Sequence, residues 1–436
     1  MKDVTTTNHA ISDADTLRIF TTDLNGRLMT VQVNPDSIES LLESGVGYDG
    51  SSVPGHARVD DSDKLLVPLR DTYRTIPFAD EKLGFMIGRV DDEAGQRAAI
   101  DARGVLERIL TRAREEFGFE FLVGPEHEFF LLTDQEFGKN IHSDDAGYFH
   151  ADPRDKGDAV RKEIVEVLRK TGIHFEKMHH EVTPSQHEIN LGALDPLRAA
   201  DRTLLFTYVT KRVADGQGLH ATFMPKPFND QNRSAFHIHL SIRDENGAPV
   251  FFEKGQQGDL SERARWFIGG IIKYARETSI VMAATFNSYK AYIVDREAPI
   301  KRGWGLRNRS SMVRVPYSNS PKSKRIELRS SDPSGNVYLQ MATLIAMGLQ
   351  GIRERADCGK PDEGSTYSDT GVPKLWDTRY LPRSMYEALV EAERGTFLRE
   401  TLGDVMFEQY FRLKTAEWEG YRTHVTEREH RRNMAT

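Results

Sequence analysis

Hydrophobic and polar residues follow two different patterns along the chain. In the first part they alternate in short runs, as in LRIFTTDLNGRLMTVQV, where Asn25-Gly26 is typical of a hairpin turn. A polar, acidic stretch, DDEAGQ, follows, and helical spacing starts near Asp101 in RGVLERILTRAREEFG. The pattern therefore predicts strands and turns in a first domain, residues 1–100, and a second domain in residues 101–436.

The second domain alternates helical runs with apolar, β-rich runs. Helical spacing predicts helices in VRKEIVEVLRKTG, PLRAADRTLLFTYVTKRVAD, ARWFIGGIIKYARE and VYLQMATLIAMGLQGIRER. Two adjacent glycines, Gly269 and Gly270, lie inside one of these runs, where close packing is a better explanation than a ligand. The chain as a whole is predicted to have an α+β fold, with a small N-terminal β domain followed by a larger α+β domain.

Composition narrows the class of protein. The chain has 436 residues, 38% of them hydrophobic, and a formal net charge of -7. No apolar run approaches the roughly 18 residues needed to span a bilayer, and no long basic stretch favours a nucleic acid. The single cysteine, Cys358, excludes an intramolecular disulfide. We expect a cytoplasmic, soluble protein with neither a membrane nor a nucleic acid as partner.

Four short motifs carry the candidate chemistry. They are Glu126-His127-Glu128, Glu181 with Glu188, His237-Ile238-His239, and Glu327-Leu328-Arg329. Three of them lie in the apolar runs FLVGPEHEFFLL, AFHIHLSI and KRIELRS. Alternate side chains of a strand share a face, so each pair projects two polar groups to one side, with His127 on the opposite face. Burying so many carboxylates requires bound metal, basic partners, or both.

Read in order, the segments of this chain resemble the glutamine synthetase family, type I, over essentially its whole length. The matching segments are YDGSS, GPEHEFF, HHEVTPSQHEI, TFMPKP, HIH, NSYK with EAP, RNRS, VRVP and RIELRSSDP. The resemblance implies an N-terminal β-grasp domain, followed by a catalytic domain whose antiparallel sheet forms half a funnel backed by helices. It also implies a homo-oligomer, a dodecamer of two hexamer rings, in which the β-grasp domain of a neighbouring subunit closes each site.

The resemblance further implies two or three Mg²⁺ or Mn²⁺ ions that hold ATP. It assigns one ion to Glu128, Glu181 and Glu188, and a second to Glu126, His237 and Glu327. Oxygen ligands with one imidazole suit these ions. The alternative is a buried ion-pair network of the same carboxylates with arginines.

Other residues receive their roles from the same resemblance. His239, Arg314 and Lys322 are expected to bind ATP, and Arg309 to stabilise the transferring phosphoryl group. Asn232, Arg233 and Arg329 are expected to bind the acid. Asp49 is expected to take a proton from ammonium, and Glu297 to lie on a flap over the site.

Three departures from the family pattern fall where the acid should bind. Ala291 replaces an arginine, NRSA at residues 232–235 replaces Asn-Gly-Ser-Gly, and the flap reads VDREAP. Either Arg233 or Arg296 supplies the missing guanidinium and glutamate still binds, or the pocket holds another acid. Tyr367 lies near the position of a modified tyrosine in some relatives, but its surroundings do not match, so we interpret it as an ordinary loop residue.

The activity implied is that of an ATP-dependent ligase. It would join the γ-carboxylate of glutamate to ammonia through an acyl phosphate, the reaction of glutamine synthetase. The alternatives are a ligase of another amine or acid, such as a γ-glutamyl-amine ligase, and a non-catalytic nucleotide or metabolite sensor of the same fold. All six expected metal ligands are present, which favours an enzyme over a sensor.

Overall fold

The computed structural model describes residues 14–136, 138–293, 296–367 and 377–434, which form two β-sheets and the helices around them. The N-terminal sheet has the strand order β2-β1-β6-β4-β3, and β5 also pairs with β6. Its strands are β1 (Thr16–Thr22), β2 (Leu28–Val33), β3 (Val46–Asp49), β4 (Asp63–Pro68), β5 (Arg74–Pro77) and β6 (Lys82–Asp91). Only β1 and β6 pair in parallel among these described strands. The short helix α1 (Ile38–Ser44), between β2 and β3, was not predicted.

The hairpin predicted at Asn25-Gly26 is confirmed, because β1 and β2 pair on either side of it. Gly26 has a φ of +86°, and a Cβ there would lie 2.5 Å from the carbonyl oxygen of Gly335. Only glycine fits this turn against the second domain. The Asn336 side chain also donates to the Asp23 carbonyl oxygen at 3.0 Å, so the hairpin is held at its tip.

The second sheet has the order β12-β13-β14-β11-β7-β9-β8, and β10 also pairs with β7. Its strands are β7 (Glu120–Leu132), β8 (Phe175–His180), β9 (Gln186–Leu191), β10 (His220–Thr222), β11 (Phe236–Arg243), β12 (Trp304–Leu306), β13 (Val313–Val315) and β14 (Ile326–Leu328). The pairs are antiparallel except for β12 with β13. The long strand β7 pairs with three others, so it aligns the whole sheet.

Helices follow and separate the strands of this sheet, and some of them pack against it. They are α2 (Ala102–Phe117), α3 (Gly157–Lys170), α4 (Pro196–Gly216), α5 (Glu262–Tyr274), α6 (Ser279–Met282), α7 (Val337–Glu354), α8 (Met385–Arg394), α9 (Phe397–Leu402), α10 (Asp404–Arg422) and α11 (Glu427–Asn433). The helices predicted from spacing correspond to α2, α3, α4, α5 and α7. Within the described ranges, no helix is both long and apolar enough to cross a membrane.

The two glycines of α5 are explained by packing, as predicted. A Cβ on Gly270 would lie 2.1 Å from the Met347 carbonyl oxygen of α7, and one on Gly269 would lie 2.1 Å from the Ala356 carbonyl oxygen. The backbones of α5 and α7 therefore approach too closely for any side chain between them. Helix α7 is buried over nearly its whole length and forms the centre of the domain.

One hydrophobic cluster extends from the N-terminal sheet into the second domain. Phe20 and Phe85 of the first sheet belong to the same cluster as residues of α2, α4 and α7. The first sheet ends at Asp91 and α2 begins at Ala102, but the division at residue 100 itself stays a prediction.

Candidate active site

Strand register brings the predicted metal ligands to one face of the second sheet. Glu126 on β7 lies opposite His237 on β11, and Glu128 lies opposite Glu188 on β9. Glu327 on β14 pairs with β11 on the same side. Directly paired residues of antiparallel strands project to the same face. Together they line a cavity of about 820 Å³, called the basin below.

His127 lies on the other face of β7, as predicted. Its ring packs between Phe206 and Phe236, with centroids 4.5 and 5.0 Å away. Its Nε2 is 3.2 Å from the Thr203 hydroxyl, and the side chain is buried. His127 is therefore a core residue behind the basin.

Glu126, His237 and Glu327 form one group suited to a cation. One ligand atom of each lies within 4.8 Å of the others. His237 Nδ1 is 3.3 Å from a Glu126 carboxylate oxygen, so Nδ1 carries the proton. Burial lowers the pKa of His237, which keeps the ring neutral. Its Nε2 is buried with no hydrogen-bond partner among the described residues, and a metal ion would use that lone pair.

Glu128, Glu181 and Glu188 face the same basin but fall into two overlapping groups. Glu188 belongs to a group with Glu128 and His237, and to another with Glu181 and His179. Burial and then the neighbouring carboxylates raise the pKa of Glu128. Burial and Glu188 raise the pKa of Glu181 to about 7. In the part of the chain that the structure describes, neither pairs with an arginine or lysine, so a divalent cation fits their charge.

His179 and Tyr148 belong to this end of the basin, although neither was predicted. His179 Nε2 lies 3.1 Å from Glu188 Oε1, and its Nδ1 lies 3.5 Å from Glu181 Oε1. The Tyr148 ring contacts the His179 ring edge-on at 5.3 Å. The alternation of β8 could have identified His179, because it pairs directly with Glu188.

Glu327 is held between two arginines. Arg314 Nη1 donates to one carboxylate oxygen at 2.6 Å, and Arg329 Nη1 donates to the other. Burial opposes ionisation, but the Arg329 guanidinium outweighs it and holds the pKa of Glu327 at about 2. The ion-pair network considered as an alternative thus exists around Glu327, whereas Glu128 and Glu181 do not take part in it.

Basic residues continue along the basin from Glu126. His239 Nε2 lies 3.0 Å from Glu126, and Arg325 Nε donates to His239 Nδ1 at 3.1 Å. Arg325 was not predicted, although its place two residues before Glu327 would have shown that it shares a strand face. Lys322 and Arg309 are exposed and line the open part of the basin. This end offers several donors suited to phosphate oxygens.

Arg233 lines the basin, but part of its guanidinium bonds to the protein itself. The side chain is buried and donates to the carbonyl oxygens of Ser331, at 3.2 Å, and Arg329. It also lies 5.9 Å from the centre of the Tyr292 ring. Two of its nitrogens are thus used by the protein itself, and direct binding of the acid by Arg233 stays a prediction. Arg296, the other replacement considered, does not line the basin.

One hydrogen bond joins the flap, residues 294–299, to Asn232, which is predicted to bind the acid. Asn232 Nδ2 donates to Glu297 Oε2 at 2.8 Å. Glu297 is exposed, and its charge contributes to the raised pKa of Glu181, so it faces the metal ligands. Flap residues 294–295 lie outside the described residues. Ala291 is buried at the end of a short 3₁₀ helix and does not line the basin.

The interpretation of Tyr367 as an ordinary loop residue is wrong. Its ring lines the basin, and its hydroxyl donates to the Arg309 carbonyl oxygen at 2.7 Å. It also contacts the Arg329 guanidinium and supports the charged form of that group. No local pattern around Tyr367 indicates this, because the chain returns to the basin only through the tertiary fold.

Comparison with known proteins identifies the family. Sequence models match the glutamine synthetase β-grasp domain over residues 13–93 and the glutamine synthetase catalytic domain over residues 99–433. The chain belongs to the glutamine synthetase family. It is 37% identical to a glutamine synthetase of Methanococcus maripaludis, over 90% of this chain and 88% of that protein. It is 36% identical to one of Thermotoga maritima, over 94% of each.

Solved structures agree with the family assignment. The ligand-free structure of GmaS has a TM-score of 0.88 and 30% identity, covering 97% of each chain. Its complex with ADP has a TM-score of 0.86 and 28% identity at the same coverage. The predicted α+β fold with an N-terminal β-grasp domain is confirmed, and the chain is a ligase of this family.

One residue singled out by the family pattern, Asp49, lies apart from the basin. It caps a short 3₁₀ turn at the end of β3, is exposed, and does not line the basin of its own chain. Hydrogen bonds from Ser51 and Ser52 lower the pKa of Asp49, so it is ionised at neutral pH. Within one subunit, the glutamine synthetase fold therefore does not bring Asp49 to the metal ligands.

Proposed function

We propose that this chain is an ATP-dependent ligase that joins the γ-carboxylate of glutamate to ammonia through an acyl phosphate. The observation that carries the proposal is the basin, where the carboxylates and imidazoles predicted to bind metal lie beside exposed cations. Such a site neutralises phosphate charge and positions a phosphoryl group for transfer. The cytoplasm, which supplies ATP and glutamate, is the proposed location.

Two groups of residues would hold the divalent ions. Glu126, His237 and Glu327 would hold one, and Glu128, Glu181 and Glu188 the other. The unpartnered His237 nitrogen and the raised pKa of Glu181 support this assignment. Two or three Mg²⁺ or Mn²⁺ ions bound there would screen the phosphate oxygens during transfer.

The surrounding cations have distinct proposed roles. Lys322 and Arg325 would bind the ATP phosphates with His239, and Arg309 would stabilise the charge on the transferring group. Arg314 and Arg329 already hold both oxygens of Glu327, so their first role is to fix that carboxylate. The γ-carboxylate of the acid attacks the terminal phosphorus, and ADP leaves.

The second step requires an ammonia molecule and a dry site. Asp49 of a neighbouring subunit would take the proton from ammonium, because Asp49 stays ionised and lies outside its own basin. This arrangement requires a homo-oligomer, for which we propose a dodecamer.

Glu297 and the flap would keep water from the acyl phosphate, which otherwise hydrolyses. Ammonia attacks the acyl carbon, and inorganic phosphate leaves.

A second candidate keeps the reaction and changes a substrate. Ala291 has replaced the family arginine, and two guanidinium nitrogens of Arg233 donate to backbone carbonyl oxygens. The residues that would bind the acid therefore depart from the family pattern, whereas those that would hold ATP and metal keep it. The structural similarity to GmaS also favours testing amines other than ammonia.

The test is phosphate release from ATP with Mg²⁺, over a panel of acids crossed with amines. Turnover with glutamate and ammonia is the expected result. Turnover only with another pair would establish the second candidate. No turnover with any pair would contradict both and favour a sensor of the same fold.

A further inference from the structure

Glu181 differs from the other five proposed metal ligands in how its backbone is held. Glu126, Glu128, Glu188, His237 and Glu327 lie within strands, and each is paired in register with at least one neighbouring strand. Glu181 lies in the turn between β8, which ends at His180, and β9, which starts at Gln186. One backbone hydrogen bond closes this turn, from the Glu181 N–H to the Gln186 carbonyl oxygen at 2.7 Å. A ligand on a turn also needs side-chain contacts that hold it in place.

The turn is tied from behind by the side chain of Asp144. One carboxylate oxygen, Oδ1, is 2.9 Å from His180 Nε2 and accepts a hydrogen bond from the Ser185 backbone N–H at 2.9 Å. Asp144 therefore connects the residues on both sides of the turn. The side chains of Asp144 and His180 are both completely buried.

His180 connects this carboxylate to Glu181 itself. Its Nδ1 lies 2.6 Å from the Glu181 carbonyl oxygen, and its Nε2 faces Asp144. Both neighbours are acceptors, so the ring donates from both nitrogens. In β8 and β9, His179 and Glu188 face the basin, whereas His180 and His187 face away from it. His180 therefore contacts Glu181 from the side opposite the basin.

Ser185 completes the anchor. It has a positive φ of 63°, a backbone conformation that is uncommon outside glycine. Its hydroxyl accepts from the Ser143 N–H at 2.7 Å, beside the Asp144 contact. The segment that carries Asp144 thus holds Ser185 in a backbone conformation that serine rarely adopts.

We propose that Asp144 and His180 are positioning residues that hold the Glu181 turn ready for a divalent cation. The inference rests on the proposed role of Glu181 as a metal ligand. The hydrogen bonds of Asp144 and His180 join both ends of the turn to the protein on the side away from the basin. Contacts behind metal ligands typically change metal affinity by roughly 10–100-fold when they are removed.

The test is to titrate the full-length, metal-free protein with Mn²⁺ and to measure bound and free Mn²⁺ by electron paramagnetic resonance. Asp144→Ala should weaken one class of Mn²⁺ site by roughly 10–100-fold and leave the other unchanged. Asp144→Asn, which keeps an oxygen acceptor, should restore part of the affinity. The matched control is Asp145→Ala, because Asp145 is the next residue, exposed and paired with Arg154 at 3.6 Å.

Glu181→Gln shows which site is affected. If Asp144 acts through Glu181, the double variant should bind Mn²⁺ no more weakly than Glu181→Gln alone. Wild-type affinity in Asp144→Ala, or fully additive losses, would overturn the inference. Failure of the wild-type protein to bind Mn²⁺ would instead contradict the proposed metal basin.

A second measurement does not depend on the variants folding. Hydrogen–deuterium exchange of the wild-type peptide spanning residues 181–186 should be slow in the metal-free protein, because the Ser185 N–H is bonded to Asp144. Fast exchange that becomes slow only after Mn²⁺ is added would show that the ion orders the turn, and would overturn the inference.

Discussion

The two ends of the basin are built in different ways. At the metal end, most ligands lie within strands and oppose one another in register, as Glu128 opposes Glu188. At the acid end, Asn232, Glu297 and Tyr367 lie on loops, and Asn232 is joined to Glu297 by a single hydrogen bond. The residues proposed for phosphoryl transfer are therefore held by the sheet. The residues proposed to select the substrate lie on loops, which vary more readily in sequence than strands do.

The largest expected effect is at the metal end. Glu128→Gln keeps the shape of the side chain and an oxygen for the Ala235 N–H, which now bonds at 2.9 Å, but removes the charge. We expect kcat to fall by about 10³-fold, or about 4 kcal/mol of activation free energy. The control is Glu120→Gln at the exposed start of the same strand. Equal activity in the two variants would contradict a metal role for Glu128.

The next effect should separate the two half-reactions. Asp49→Ala should lower amide formation from ammonia by about 10²-fold or more, because the proton acceptor is lost. Hydroxylamine needs no such acceptor, so its use as the nucleophile should be much less affected. Rates are measured as amide and hydroxamate formed from the same acid. Equal loss with both nucleophiles would argue against proton removal by Asp49.

The sequence predicted which side chains share a face at the metal end, whereas it could not predict the side-chain contacts at the acid end, for a physical reason. Alternation places Glu126, His237 and Glu327 each on one face of its own strand, and the pairing of β7, β11 and β14 then brings the three together. The same rule applied to β8 would have added His179. In contrast, Tyr367 reaches Arg309 across a loop, and the direction of the Arg233 side chain depends on the carbonyls around it. No periodic pattern in the sequence indicates either contact.

A smaller effect should distinguish a structural from a binding role for Arg233. Arg233→Gln removes buried hydrogen bonds to two carbonyl oxygens, so we expect the free energy of unfolding to fall by about 1–3 kcal/mol. Thermal denaturation measures this, with Arg296→Gln as a less buried control. Unchanged stability together with a large rise in the KM for the acid would indicate that Arg233 binds the acid directly.

The smallest expected effect is at Tyr367. Tyr367→Phe removes the hydroxyl that donates to the Arg309 carbonyl oxygen, a bond worth about 1 kcal/mol, and that contacts Arg329, which the sequence predicts to bind the acid. We expect the KM for the acid to rise by about fivefold, while the KM for ATP changes little. Steady-state kinetics with each substrate varied in turn gives both values. A larger effect on ATP would move Tyr367 to the nucleotide end.

The most direct test of the central claim is to trap the acyl phosphate with hydroxylamine. Wild-type protein, ATP and Mg²⁺ are incubated with each acid of the panel, and the acyl hydroxamate is measured. Our account predicts a hydroxamate from glutamate that requires ATP and is lost in Glu128→Gln. ATP hydrolysis without a hydroxamate from any acid would contradict it.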